Sequence, residues 1–313
     1  MVGISIYILA DTFFIALYGG ADGLAVLNLI LPVYGVIYAI GAMIGIGSAT
    51  RYGLSRAKGE QSDHYFLQSI FWCLLPFIIA GIMKPDMVLK LLGADTGLTE
   101  LGRNYLRIVL IATPCFMCNY TFTGFARNDE APMIAMIASI TGSLCNIVLD
   151  YIFMGVLHLG PSGAALGTTL SQTVSVIVAL TMFMKGKTGI TVKKSDFKPR
   201  KETMGRLLKI GFPIAMQDGL IQVAFIIITI IANRRGLTDA AAVGIVEKVI
   251  SFLFLVPSSM LSTVSALGAQ NVGAGKPERA AATLKYAICI AGGFGLIIAI
   301  IIQFTAGNVV NLF

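Results

Sequence analysis

Nine apolar runs, each long enough to cross a lipid bilayer, dominate this chain. They fall at about 2–19, 24–52, 64–83, 101–126, 131–157, 162–185, 205–233, 240–271 and 279–305. Each meets or approaches the ~20 residues that a helix needs to span the hydrocarbon core. Backbone groups in lipid must satisfy one another, which leaves the helix as the element for runs of this length. The expected fold is therefore all-α: a polytopic membrane protein of about nine transmembrane helices. Only 12% of the 313 residues are charged, against roughly 25% in soluble domains, and no appended soluble sensor domain is expected. Met1 leads straight into Val2-Gly3-Ile4 with no basic stretch, which argues against a secretory signal peptide. The five cysteines (Cys73, Cys115, Cys118, Cys145, Cys289) all lie inside the runs. They read as small packing residues and form no metal-ligand spacing with the two histidines, so no metal centre is expected.

Charge placement orients the runs. The connections after the second, fourth, sixth and eighth carry most of the cations: Arg56 and Lys58, Arg127, a cluster from Lys185 to Lys209, and Lys276 with Arg279. The connections at Gly19–Gly23 and His158–Pro161 carry none. By the positive-inside rule the basic links face the cytoplasm. Lys84, Lys90 and Arg103, and then Arg234 and Arg235, dilute the contrast without reversing it. The net charge of +7 is thus a topology signal. The 186–203 stretch has no interleaved aromatics besides Phe197, so no nucleic-acid partner is expected.

Two carboxylates interrupt the apolar runs: Asp11 in the first and Asp150 in the fifth. An ionised carboxylate facing lipid costs at least ~2.5–3.5 kcal/mol, so it turns inward, finds a partner or holds a proton. Asn146 precedes Asp150 by four residues, which sets amide and carboxylate on one helix face, able to share a cation or a proton. That is the chemistry of an ion-coupled carrier. The plainer alternative is an acid near a helix end that reaches the interface and does nothing, and both positions are close enough to an end for it.

The chain also echoes itself. Arg51–Glu60 (RYGLSRAKGE) is matched by Gln270–Arg279 (QNVGAGKPER), and Gly19–Val26 by Arg235–Val243. The offset is roughly 217 positions, six runs per repeat, and an even number keeps orientation, giving two parallel repeats of six helices. Val309–Phe313 echoes Val88–Leu92, so the second repeat is incomplete here, and the chain reads as truncated at both ends. The expected organisation is an amino-terminal six-helix lobe at 1–185 with a shortened first helix, a basic cytoplasmic linker at 186–204, and the first half of a carboxy-terminal lobe at 205–313.

Four segments carry a family resemblance: Ala10-Asp11-Thr12-Phe13-Phe14, Asn146-Ile147-Val148-Leu149-Asp150, Gly211-Phe212-Pro213-Ile214, and Gly268-Ala269-Gln270-Asn271-Val272-Gly273-Ala274-Gly275. In this order and on these runs, the pattern resembles the multidrug and toxic compound extrusion (MATE) family, prokaryotic branch, over essentially the whole chain. The resemblance implies a V-shaped pair of six-helix lobes that alternates between outward and inward openings. It implies antiport: a proton or a sodium ion enters while a small organic cation or drug leaves. It implies a coupling cluster at Asp11, Asn146, Asp150 and Thr168. A second acid that some branches hold in the seventh span aligns with Ile221 here, and Asp218, preceded by Gln217, lies about one turn away as a possible secondary site. The implied localisation is the cell membrane of a prokaryote, with lipid and substrate as partners, no cofactor beyond the coupling ion, and a monomer as the unit.

Physical chemistry supports such a cluster independently. Two carboxylates close together in a low-dielectric lobe titrate as a unit and can hold one proton between them. Asn146 and Thr168 supply neutral oxygens that serve a sodium ion or a protonated acid equally well, so the coupling ion stays open between H⁺ and Na⁺. Other features have plainer readings. Glu247 and Lys248 read as a structural ion pair or a helix contact, and the thirteen methionines as packing. Gly41-x-x-x-Gly45 and Gly47 favour close helix contact. Pro32, Pro76, Pro114 and Pro257 read as kinks. The two glycine-containing echoes read as turns, since no GKS or GKT phosphate loop is present. A lipid-linked sugar flippase of the same superfamily is the alternative, but it calls for a basic cavity, and the amino-terminal runs offer little beyond Arg107. An enzyme is not expected, because no Ser–His arrangement, HExxH motif or metal cluster appears.

Overall fold

The computed structural model describes residues 10–60, 62–71, 84–94, 96–186, 188–191, 196, 201–235, 243, 246, 250 and 253–310. Expectations that rest on Cys73, Pro76, Glu247, Lys248, the end of the third run and most of the 192–200 link lie outside these residues. Among the described residues every regular element is helical. The first described residues, from Ala10, are helical and widen into a π-helical turn at Ile15–Gly19. Gly20 then adopts φ 61°, ψ −154°, a conformation closed to L side chains, and the chain enters α1, Gly20–Ala57. There follow a short α2 (Pro85–Leu91), α3 (Thr96–Asn128), α4 (Pro132–Asp150, running into a second π-turn at Tyr151–Val156) and α5 (Pro161–Met184). The remainder is α6 (Lys201–Arg235), α7 (Leu255–Gly273) and α8 (Pro277–Val310). Pro85, Pro132, Pro161 and Pro277 each open a helix, where the missing N–H costs nothing and the fixed φ is already helical.

Five of the described helices are long and apolar enough to cross a membrane. Three of them, α1, α3 and α8, outrun the apolar stretches that announce them, while α4 with its π-turn and α5 match theirs to within a residue. α1 continues to Ala57 and α3 begins at Thr96, because helical hydrogen bonding does not stop where lipid gives way to headgroups. The most apolar window of α8 has a mean hydropathy of 2.5 and no buried residue. Its Leu296, Ile300 and Phe304 project outward, a surface suited to lipid rather than water.

Close packing in the first half rests on small residues. A Cβ built at Gly45 of α1 would lie 2.9 Å from the backbone nitrogen of Thr121 on α3, and one built at Gly142 of α4 would lie 3.0 Å from Ser175 of α5. Two large apolar clusters, and a small one at Ile44 and Met117, fill this half among the described residues. One gathers Ile15, Ile30, Tyr34, Tyr105, Leu106 and Met154 around the π-turns. The other, nearer the basic links, gathers Tyr52, Phe66, Phe122, Phe125 and Ala138. α6 then runs along α1, and α7 touches both α1 and α3 while pairing with α8.

The internal echo has a structural counterpart. α1 ends with Glu60 N–H donating to the Ser55 carbonyl and Gly59 at φ 76°. α7 ends with Lys276 N–H donating to the Asn271 carbonyl and Gly275 at φ 71°. Both are the same six-to-one closure on a left-handed glycine.

Candidate cation site

Asp11, Asn146, Asp150 and Thr168 come from three separate segments and converge. Asn146 and Asp150 are fully buried and Thr168 nearly so. Asn146 Nδ2 donates to Asp150 Oδ1 and to Thr168 Oγ1, both at 3.4 Å. The carboxyl groups of Asp11 and Asp150 face each other at close range. Three oxygens in this group, Asp11 Oδ1, Asn146 Oδ1 and Asp150 Oδ2, are buried with no hydrogen-bond donor among the described residues. Buried acceptors in a native fold are almost always satisfied. Two acids and an amide oxygen left without donors have the chemistry to take up a proton or a small hard cation. Among the described residues no group of three His, Cys, Asp or Glu side chains gathers to hold a metal ion.

Local backbone places these groups. Each acid sits just before a π-turn, Asp11 ahead of Ile15–Gly19 and Asp150 at the start of Tyr151–Val156, and the two turns touch. Such turns widen a helix by one residue and cluster at functional positions. Across them Phe14 packs near Tyr151, with ring centroids 6.4 Å apart. On α5, Gly167 leaves the space that the Asp150 carboxyl occupies: a Cβ there would collide with Oδ1 and stand 3.2 Å from Cγ. Any side chain at 167 would expel the acid from its seat.

Reasoning from sequence did not identify everything at this site. Tyr34 and Tyr105, buried in α1 and α3, bring their hydroxyls to 3.4 Å from each other. Both lie within electrostatic reach of Asp11, and Tyr105 also of Asp150. The available signal was a tyrosine deep in an apolar run, since a buried phenol needs a polar partner. Gly167, next to Thr168, gave no local sign of its role. Gln217 and Asp218 lie apart from the cluster, exposed on α6, and Asp218 is within electrostatic reach of Tyr120.

An all-helical membrane fold that buries two facing acids beside an amide points to membrane transporters as the class to compare. The chain belongs to the MatE family, whose model matches residues 1–152 and 213–313. The multidrug export protein MepA of Staphylococcus aureus is 27% identical over 314 residues, covering 98% of this chain and 69% of that protein. Among solved structures, the outward-facing conformation of a multidrug resistance MATE family transporter of the MOP superfamily matches with a TM-score of 0.91 at 26% identity. That match covers all of this chain and 70% of the neighbour. A MOP superfamily transporter from Pyrococcus furiosus, described as having reverse polarity of its binding pocket, matches with a TM-score of 0.87 at 25% identity. The chain is thus a prokaryotic-type MATE transporter, a multi-pass membrane protein.

Proposed function

We propose that this protein is a secondary antiporter that exports small organic, mainly cationic compounds in exchange for H⁺ or Na⁺ by alternating access. The reading is supported by three buried oxygens, of Asp11, Asn146 and Asp150, that lack donors among the described residues. An acid pair of this kind gains a proton or cation in one state of the carrier and loses it in the other, and that difference in affinity is what drives a conformational equilibrium. The export of drugs by the staphylococcal relative supports the substrate class. The distribution of Lys and Arg supports a cell-membrane protein with its basic links in the cytoplasm. On this reading residues 1–185 act as one lobe, 186–204 as the linker and 205–313 as part of the second lobe, with the monomer as the working unit.

The test is Asp11→Asn and Asp150→Asn in vesicles, with fluorescent-cation efflux driven by imposed proton or sodium gradients. Asn keeps the size and most hydrogen bonds but cannot exchange a proton or offer a full charge. Both variants are expected to insert and fold, to retain part of their equilibrium substrate binding, and to lose uphill export. Asp218→Asn is expected to change expression or stability more than coupling. Full gradient-driven export by well-expressed Asp11→Asn and Asp150→Asn would place the coupling site elsewhere.

A further inference from the structure

The described contacts between the two halves concentrate at the end that carries the basic links. Arg127 Nη1 of α3 donates to Ser262 Oγ of α7 at 2.8 Å, and Gln270 Nε2 of α7 donates to the Asn128 carbonyl at 3.0 Å. The hydroxyls of Thr50 and Ser265 stand 3.2 Å apart. Backbones meet here as well: a Cβ at Gly47 of α1 would come within 2.8 Å of Gly211 Cα on α6, and one at Gly273 within 2.6 Å of Ala57 Cβ. Side by side with these bonds lies a charged cluster that the ion site does not use. Asp129, directly after α3, has a side chain with no solvent exposure. Its Oδ1 accepts from Tyr52 at 2.7 Å and pairs with Arg56, whose guanidinium also lies over the Tyr52 ring. Its Oδ2 accepts the backbone N–H of Gly189 at 2.5 Å. Gly189 belongs to the segment that joins the two halves, and Thr191 of that segment is tied to Asp63 through its N–H and its hydroxyl, at 3.2 and 2.6 Å.

Residues 128 and 129 therefore hold, at one point, α1, the connecting segment and α7. A cavity of about 450 Å³ opens beside them, lined by Arg56, Asn128, Asp129, Gln270, Lys276 and Arg279 among others. A buried carboxylate with three donors is costly to assemble unless every donor is present, so the cluster switches as a unit rather than loosening bond by bond. We propose that Asp129, with Arg56 and Tyr52, is the latch of the cytoplasmic gate. It positions the Asn128 carbonyl for Gln270 and fastens the connecting segment, and its release accompanies opening toward the cytoplasm. Asp129 and Arg56 are thus positioning residues for transport, remote from the cation site. This inference rests on the alternating-access reading above.

The test places spin labels at Lys58→Cys and Lys276→Cys, exposed positions in the two halves, in reconstituted full-length transporter, and reads their distance distribution. The parent is expected to favour the short distance. Asp129→Asn, and from the other half Gln270→Ala, are expected to raise the long-distance population about tenfold, the equivalent of one charge-assisted hydrogen bond. A folded Asp129→Asn with the parent's distribution overturns the latch. If that variant does not fold, Gln270→Ala decides in the same way. In parallel, Thr50→Cys with Ser265→Cys is oxidised, the two hydroxyl positions being close enough for a disulfide. Transport is expected to fall below about a tenth of its rate and to return on reduction, with single-cysteine controls unaffected. Normal transport by the crosslinked protein shows that this contact never opens and removes the gate. A parent that shifts between two distances but moves no cation contradicts the antiporter reading alone, so the two failures are separable.

Discussion

Gly167→Ala adds one methyl group to the helix that faces the acid pair. On an open helix the change stabilises by roughly 1 kcal/mol, through lost backbone freedom in the unfolded chain. Gly292 of α8, with nothing within 4 Å of its built Cβ, is such a position. At 167 the new carbon overlaps Asp150 Oδ1 and stands 3.2 Å from both Cγ and the backbone nitrogen of Asp150. The nitrogen is part of α4 and yields little, so the carboxyl must rotate away. Overpacking of this kind costs about 1–3 kcal/mol. Rotation also breaks the 3.4 Å bond from Asn146, a further ~0.5–1.5 kcal/mol. Set against the helix gain, the net is a loss of about 1–3 kcal/mol, in a variant that keeps every acid. Thermal unfolding in detergent and gradient-driven cation efflux are measured together, with Gly292→Ala as the control. Gly167→Ala is expected to unfold at a lower temperature and to lose most ion coupling, whereas the control keeps both. If Gly167→Ala matches the parent in both measurements, the Asp150 carboxyl does not occupy the space in front of Gly167, and the geometry argued for the site is wrong.

Two further outcomes are expected. Gly211→Ala would press a methyl group onto the Met43 carbonyl where α6 meets α1; since both neighbours are backbone, it should cost ~1–3 kcal/mol in thermal stability, and an unchanged midpoint would show the two helices free to part. Sodium added at constant ionic strength should raise the parent's unfolding temperature, by the equivalent of ~2.7 kcal/mol at a hundred times its dissociation constant, and leave Asp150→Asn unmoved; a flat parent response at every pH excludes sodium as the ligand.

The chain's apolar runs by themselves determined that it is a bundle of membrane helices, because nothing else satisfies a backbone in lipid. They also exposed Asp11 and Asp150, since a carboxylate among Leu, Ile and Phe stands out without any fold, and the four-residue spacing brought in Asn146. Thr168 entered only through the family resemblance; hydroxyl side chains are common in membrane helices and carry no local mark. Which face of each helix turns inward was not legible. A soluble helix declares its buried side by being polar on the other, whereas α1 and α8 are apolar nearly all round. The tertiary structure decided that Tyr34 and Tyr105 stand within electrostatic reach of the acids, that Gly167 makes room for the Asp150 carboxyl, and that the two π-turns touch beside the acids. It also decided that Asp129, one of two acids beside Arg127, is sealed under Arg56 and Tyr52. These facts depend on contacts between residues tens to hundreds of positions apart. Local periodicity and hydropathy describe how a segment meets its solvent, and they hold no record of which other segment will take the solvent's place.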